Sequence, residues 1–248
     1  MAIITEASLR ALHRKGVLTR VVLRQGEQLT PAAADFLREK KIPFSWGPVQ
    51  IPVGVSNRHV HLSPEHVEIL FGRGYQLTPL RELSQPGQFA AREQVTLEGP
   101  KGNIAGVRVL GPSRGETQVE ISKTDGYVLG VHPPVRLSGD IGGTPGITLH
   151  GPMGSVTIER GLIVAKNHVH LAPDEAAMLN VKDGDSILLR AAGERKLIFA
   201  DVAVRVSPRF RMDFHIDLDE ANAAGLSTGD TVEFAGVNGE LFPVPKRR

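Results

Sequence analysis

None of the 248 residues is a cysteine. That excludes disulfides, thiolate metal ligands and a cysteine nucleophile, and it fits a reducing compartment. Aromatic residues are few, and the single tryptophan, Trp46, reads as a packing residue at a domain junction rather than a ligand platform. No stretch approaches 18 apolar residues, and the first twenty lack the apolar core of a signal peptide. The expectation is a soluble cytoplasmic protein with no membrane partner. Charge is nearly balanced, with 29 Lys and Arg against 27 Asp and Glu. Apart from a terminal Lys246-Arg247-Arg248 cluster the basic residues form no run, so nucleic acid is not an expected partner, whereas small anions are. Neither a Walker A nor a dinucleotide fingerprint occurs.

What is present organises the chain into three parts. Thr5 can cap a helix running to Lys15 and stopped by Gly16; Val17–Leu23 reads as a strand; Thr30-Pro31 opens a second helix to about Lys41. Pro43, Gly47 and Pro48 then punctuate a boundary, which separates a helical N-terminal extension, 1–47, from the body. Beyond it lie short strands between Gly and Pro turns: Val95–Leu97, Ile104–Leu110, Gln118–Ile121, Val156–Ile158, Ser186–Leu189, Lys196–Val206 and Thr231–Phe234. Many short strands at close spacing predict a mainly β fold of barrels or sandwiches with short helices between.

The body is internally repeated. Ser56-Asn57-Arg58-His59-Val60-His61-Leu62-Ser63-Pro64-Glu65 matches Ala165-Lys166-Asn167-His168-Val169-His170-Leu171-Ala172-Pro173-Asp174, 109 residues later. Val107-Arg108-Val109 with Arg114 and Glu120 corresponds to Val204-Arg205-Val206 with Arg209 and His215, and the arginine precedes the last residue by six in both. Glu175-Ala176 with Gly184-Asp185 is echoed by Glu220-Ala221 with Gly229-Asp230, the Gly-Asp pairs reading as turns into strands. Two repeats divide the body at 48–150 and 151–248, each a β-barrel built either from its own half or by strands exchanged between halves.

Residues two apart on an extended chain face one side, so His59 with His61, and His168 with His170, can grip one ion each. Pro64 and Pro173 sit naturally in a first helical turn, which puts both pairs at strand-to-helix junctions. A lone His-x-His is most often ordinary surface or core. Two in matched contexts, each with a later partner at the equivalent place, argue for two ligand sets: His59, His61, Glu120 and His168, His170, His215. Three ligands without a thiolate leave a coordination position open, the pattern of catalytic zinc. Arg108 and Arg114 are candidate anion holders, since a guanidinium matches phosphate oxygens in a two-pronged fork. His13, His66, His132 and His150 have no repeat partner and read as structural.

Asn57-Arg58-His59-Val60-His61-Leu62-Ser63, Gly111-Pro112 to Arg114, Thr117-Gln118-Val119-Glu120-Ile121-Ser122 and Asn167-His168-Val169-His170-Leu171 together resemble the PduL-type phosphate propanoyltransferases. These are the phosphotransacylases associated with bacterial microcompartments, and the resemblance covers roughly residues 48–235. It implies two β-barrel domains capped by short helices, two zinc ions, and conversion of acyl-CoA plus phosphate to acyl phosphate plus CoA, in either direction. Propionyl-CoA or acetyl-CoA is the implied acyl donor. By motif it places one zinc on His59, His61 and Glu120, the other on His168, His170 and His215, and phosphate on Arg114. Ser56, Arg108, Leu110 and Asn222 fall in the family's CoA-binding region, and Arg81 where the family has a basic residue. The implied setting is the interior of a microcompartment, with shell or core enzymes as partners and a homo-oligomeric state. The amphipathic helices of 1–47 are similar in kind to segments that target enzymes to such shells. Two rival readings stand beside this one: a zinc-dependent thioester hydrolase, and a non-catalytic, metal-stabilised interaction module of a shell assembly.

Overall fold

A computed structural model describes residues 2–23 and 27–242. The side chains of Ala2, Ser45 and Trp46 lie outside the described set, as does the whole Lys246-Arg247-Arg248 cluster. The N-terminal extension is a folded α/β segment: β1 (Ala2–Ile4), α1 (Glu6–Arg14), β2 (Val21–Leu23), β3 (Glu27–Leu29), α2 (Pro31–Glu39) and β4 (Phe44–Trp46). Both helices begin where the sequence dictates. The Thr5 and Thr30 hydroxyls accept from the Ser8 and Ala33 N–H groups, and Pro31 occupies the first turn of α2. Parallel pairing joins β1 to β3 and β2 to β4. Leu9 of α1 and Ala33, Phe36 and Leu37 of α2 pack with Leu18, Val21, Leu23 and Ile42 into a local core. The segment therefore holds more strand than the sequence reading expected, because three-residue strands are too short to show an alternation.

After this segment the chain continues as β5 (Gln50–Ser56), β6 (His59–His61), α3 (Pro64–Phe71), β7 (Pro79–Glu82), β8 (Phe89–Glu98), β9 (Asn103–Gly111) and β10 (Gln118–Glu120). Next come α4 (Lys123–Leu129), β11 (Val135–Arg136), β12 (Ile147–His150), β13 (Ser155–Ile158) and β14 (Leu162–Ala165). The last stretch is β15 (His168–Leu171), α5 (Pro173–Leu179), β16 (Ser186–Ala191), β17 (Leu197–Val206), β18 (Asp213–Asp217), α6 (Leu218–Ala224), β19 (Thr231–Val237) and β20 (Glu240–Leu241). Each of the seven strands read from the sequence is present. The fold is mainly β, as expected, with short helices between the strands.

Two large sheets result. One is open, a half-barrel in the order β11-β14-β10-β6-β9-β8-β12-β13 with β7 added against β8. The other closes on itself as β16-β17-β15-β18-β5-β19, because β16 pairs with both β17 and β19, and β20 hangs on β19. The chain divides into two compact units, residues 1–53, 168–214 and 224–248 in one, 54–167 and 215–223 in the other. The boundary read near residue 150 does not coincide with this division. Strands β13 and β14 follow residue 150 yet belong to the open sheet, while β5 hydrogen-bonds to β19 as a stave of the closed barrel. Repeated motifs report local similarity; they do not report which strand edges find each other.

Within the half-barrel unit, Val60, Leu62, Val67, Leu70, Val95, Leu97, Val107, Val109, Val119, Leu149 and Leu162 form the centre of a continuous buried core. Each such side chain contributes about 1.5–3 kcal/mol relative to exposure. β8 shows the alternation that produces this, with Ala91, Glu93, Val95 and Leu97 inward. In the barrel, Ile51, Leu171, Ile187, Leu189, Val202, Val204 and Phe214 are buried, and the Phe199 and Phe214 rings meet edge to face. The matched Gly-Asp pairs are indeed turns into strands. Asp185 accepts from the Lys182 N–H before β16, and Asp230 from the Ser227 N–H before β19.

Candidate functional site

His59 and His61 are the two ends of β6, a three-residue strand held between β9 and β10. Because β6 and β10 run antiparallel with Glu120 opposite His59 and Gln118 opposite His61, all four side chains are brought to one neighbourhood by register alone. The three proposed ligands are buried, at 7%, 4% and 7% exposure for His59, His61 and Glu120. One donor atom from each lies within 4.8 Å of the other two. The second set gathers the same way: His168 and His170 on β15 and His215 on the neighbouring strand β18 offer donor atoms within 4.8 Å of one another. Every metal-ligand residue named from the sequence thus falls in a three-donor cluster, and among the described residues these are the two clusters of that kind.

The local sequence explains why the histidines are held so firmly. Ser63 caps α3 by accepting from the His66 N–H, with Pro64 in the first turn, so the helix cap lies only two residues past His61, where the strand ends. On the other side, Arg58 forks onto Asp125 with contacts of 2.7 and 3.0 Å, and Asp125 is also the capping-box acceptor of the Ser122 N–H at the start of α4. The residue before His59 is thereby tied to a helix terminus. At the second histidine pair Asn167 precedes His168 and donates to Glu220 at 2.6 Å. Glu220 in turn accepts from the Asp217 N–H at the start of α6.

The His59 Nδ1 lies 2.9 Å from the Asn57 carbonyl and 3.2 Å from the Ser56 hydroxyl. A carbonyl can only accept, so Nδ1 carries the proton and the lone pair is on Nε2, which faces Glu120 Oε2 at 3.4 Å. Burial by itself would depress the His59 pKa. The Glu120 charge and hydrogen bond, with the bond to Asn57, outweigh burial and raise it above the ordinary value. His61 is pushed the other way, to about 3, by burial first and then by the charges of His59 and Arg114. It is therefore neutral, as a metal ligand must be.

Around the second set, the His170 ring stacks on Phe210 with centroids 4.1 Å apart, and Arg205 lies over the Phe210 ring, its guanidinium carbon 5.8 Å from the centroid. The parallel partner of each histidine strand carries an arginine, but the registers differ by two residues. His59 is opposite Arg108, whereas His170 is opposite Arg205. An even shift keeps the same faces together.

Arg114 follows the Gly111-Pro112 turn, whose peptide bond is cis. Its backbone N–H donates to the Leu62 carbonyl at 2.8 Å and its Nη1 to the Ser138 hydroxyl at 3.2 Å. The half-buried guanidinium is close enough to act on both His59 and His61. Arg108 spends Nη1 on the Ala91 and Arg92 carbonyls of β8. Ser56 touches His59, and Leu110 is half-buried on β9. Arg81 on β7 and Asn222 on α6 are exposed. Sequence reasoning assigned no role to Gln118, Ser138, Asn167 or Phe210. Gln118 stands two residues before Glu120 on one strand, a spacing that already puts both on one face.

A sequence model of the family described as phosphate propanoyltransferase matches residues 52–227. The chain is 60% identical over 183 residues to a phosphate propanoyltransferase of Thermotoga maritima, covering 73% of this chain and 87% of that one. It is 55% identical over 181 residues to one of Priestia megaterium, covering 73% and 83%. With one of Rhodopseudomonas palustris it is 50% identical over 185 residues, covering 75% and 82%.

Proposed function

Because this chain belongs to the phosphate propanoyltransferase family, we propose that it interconverts acyl-CoA and phosphate with acyl phosphate and CoA, using two zinc ions held by its two three-donor clusters. The observation that carries the reading is the first cluster with Arg114 beside it: three buried donors of mixed nitrogen and oxygen type next to a half-buried cation. The residues fit such an ion. His61 Nδ1 is buried with no hydrogen-bond partner, and its imidazole is neutral, while His59 has its proton committed to a carbonyl on the side away from Glu120. His168, His170 and His215 form the second set, of imidazoles alone. When bound, zinc supplies positive charge that polarises a thioester carbonyl and steadies a departing thiolate.

The chain's own residues do the rest. Arg114 receives two phosphate oxygens on its fork and so orients one of the remaining two towards the acyl carbon. A phosphate oxygen forms the new C–O bond, the C–S bond breaks, and CoA leaves as the thiolate. No acyl-enzyme on cysteine intervenes, since the chain has no cysteine. Ser56, Arg108, Leu110 and Asn222, with Arg81, supply the CoA-binding region. We place the enzyme in the cytoplasm, inside a bacterial microcompartment and as a homo-oligomer, with residues 1–47 as its contact to the shell. That contact would be made by the polar helix faces, because the apolar faces of α1 and α2 already cover their own core.

The test is thiol release from propionyl- and acetyl-CoA with and without phosphate, on protein of measured zinc content, with acyl phosphate trapped by hydroxylamine. Release that needs phosphate and yields the hydroxamate supports the reading. Release without phosphate would make the protein a thioester hydrolase, and zinc without turnover would make it a metal-stabilised interaction module.

A further inference from the structure

Gln118 is a buried amide, only 3% exposed, and three polar groups converge on it. Its Oε1 accepts the Gly139 N–H at 2.8 Å. Its Nε2 donates to Glu120 Oε1 at 2.6 Å and to the Ser138 hydroxyl at 2.9 Å. The amide has one workable orientation. Turned over, its oxygen would face a carboxylate oxygen and its NH2 would face an N–H. The Ser138 hydroxyl that receives Nε2 also receives Arg114 Nη1 at 3.2 Å. One side chain thus joins the carboxylate of the first cluster, the loop at 138–139 and the guanidinium.

We infer that Gln118 is a positioning residue that sets the first metal site and the phosphate-holding arginine together. Its bond to Glu120 Oε1 fixes the carboxylate rotamer and leaves Oε2 turned towards His59 Nε2. Hydrogen-bond partners of this kind, one step out from a ligand, orient it and tune its basicity. Its bond to Ser138 holds the hydroxyl where Arg114 can donate to it, so the guanidinium plane is defined from the same amide. Neighbouring strand positions make this economical: Gln118 and Glu120 share a face of β10, and Gln118 is opposite His61.

The inference rests on the phosphotransacylase reading above, and its experiment separates the two. In the full chain, zinc retention is measured by chelator competition, and kcat and the phosphate KM by thiol release, for wild type, Gln118→Leu and Ser138→Ala. Gln118→Leu keeps the buried volume but removes both donors. It should release one of its two zinc equivalents at roughly 10–100-fold lower chelator than wild type, and raise the phosphate KM. Ser138→Ala cuts only the arm to Arg114, so it should raise the phosphate KM and retain both ions as wild type does. Wild-type zinc retention and phosphate KM in Gln118→Leu would overturn the inference, as would early loss of zinc from Ser138→Ala. Should Gln118→Leu not fold, Gln118→Met, unbranched and of similar length, takes its place with the same expected readouts. A failure of the functional reading would show instead in the wild type, as thiol release that ignores phosphate, and the zinc arm would still decide the role of Gln118.

Discussion

The fork of Arg58 on Asp125 offers the sharpest test of how the first histidine pair is held. The Asp125 carboxyl is 4% exposed and Arg58 is 31% exposed, with an Nη2–Oδ1 contact of 2.7 Å. Arg58→Ala leaves that carboxylate buried with the Ser122 N–H and its helix terminus as remaining support. Stranding a fully buried charge costs about 3–5 kcal/mol. Because nearly a third of the arginine side chain reaches solvent, about 2–3 kcal/mol is the better figure here, a discount for screening. Asp125→Ala releases a guanidinium that can turn to water but also removes the capping-box acceptor, so its cost should be similar. The double variant should cost about 2 kcal/mol less than the sum of the two singles, since neither charge is then stranded. For a chain of this size each kcal/mol moves the melting temperature by about 2–4 °C, so each single should melt about 4–12 °C lower. Thermal unfolding followed by circular dichroism in the presence of a chelator isolates this from metal loss. Additivity of the two singles within about 0.5 kcal/mol would refute the idea that the pair acts as one buried fork.

Three further outcomes are expected. His61→Ala and His170→Ala should each lower bound zinc from two equivalents to one by elemental analysis and abolish phosphate-dependent thiol release, whereas His150→Ala, whose partner is the exposed Glu98, should change neither. Gly111→Ala would put its Cβ into the Phe89 ring, so it should cost about 1–3 kcal/mol of overpacking by denaturant unfolding and raise the phosphate KM by displacing the turn to Arg114. At Glu93, burial alone would raise the pKa, but hydrogen bonds from Tyr75 and Thr78 hold it below the ordinary 4.5. A depressed carboxylate contributes stability above its unfolded pKa and loses it as pH falls through the folded value. Glu93→Gln should therefore cost about 1–2 kcal/mol near neutrality and flatten the loss of stability below pH 4.5 in acid titration of the melting temperature.

What the sequence disclosed was whatever is local. His-x-His spacing marks two side chains on one face, Ser63-Pro64 and Pro173 mark helix starts, and the Gly184-Asp185 and Gly229-Asp230 turns declare themselves. Glu120 and His215 were reachable only by laying one repeat on the other, and the strand registers then supply the physical reason: Glu120 is opposite His59, and β18 lies beside β15. Gln118 was within reach of the period-two rule, but an amide carries no chemistry of its own to draw the eye. Ser138 was not within reach, because it meets Gln118 across twenty residues of chain through a loop with no repeating pattern.

The pairing of β5 with β19 shows why such distances defeat a linear reading. Strand β5 and strand β19 pair at Thr231 opposite Pro52, and a side-chain bond joins Thr231 to Gln50 across 181 positions. Nothing in the composition of Gln50–Ser56 distinguishes a strand that pairs with its successor from one that pairs with the far end of the chain. The choice is made by edges. A sheet of β16, β17, β15, β18 and β19 without β5 would expose unpaired N–H and C=O groups along β19, and the gap of one strand in six is closed only by a strand that can satisfy them. Proline at position 52 is tolerated, since the next residue resumes the pairing: the Val53 N–H donates to the Asp230 carbonyl and the Gly229 N–H donates to the Val53 carbonyl. The first histidine strand begins three residues beyond the end of β5.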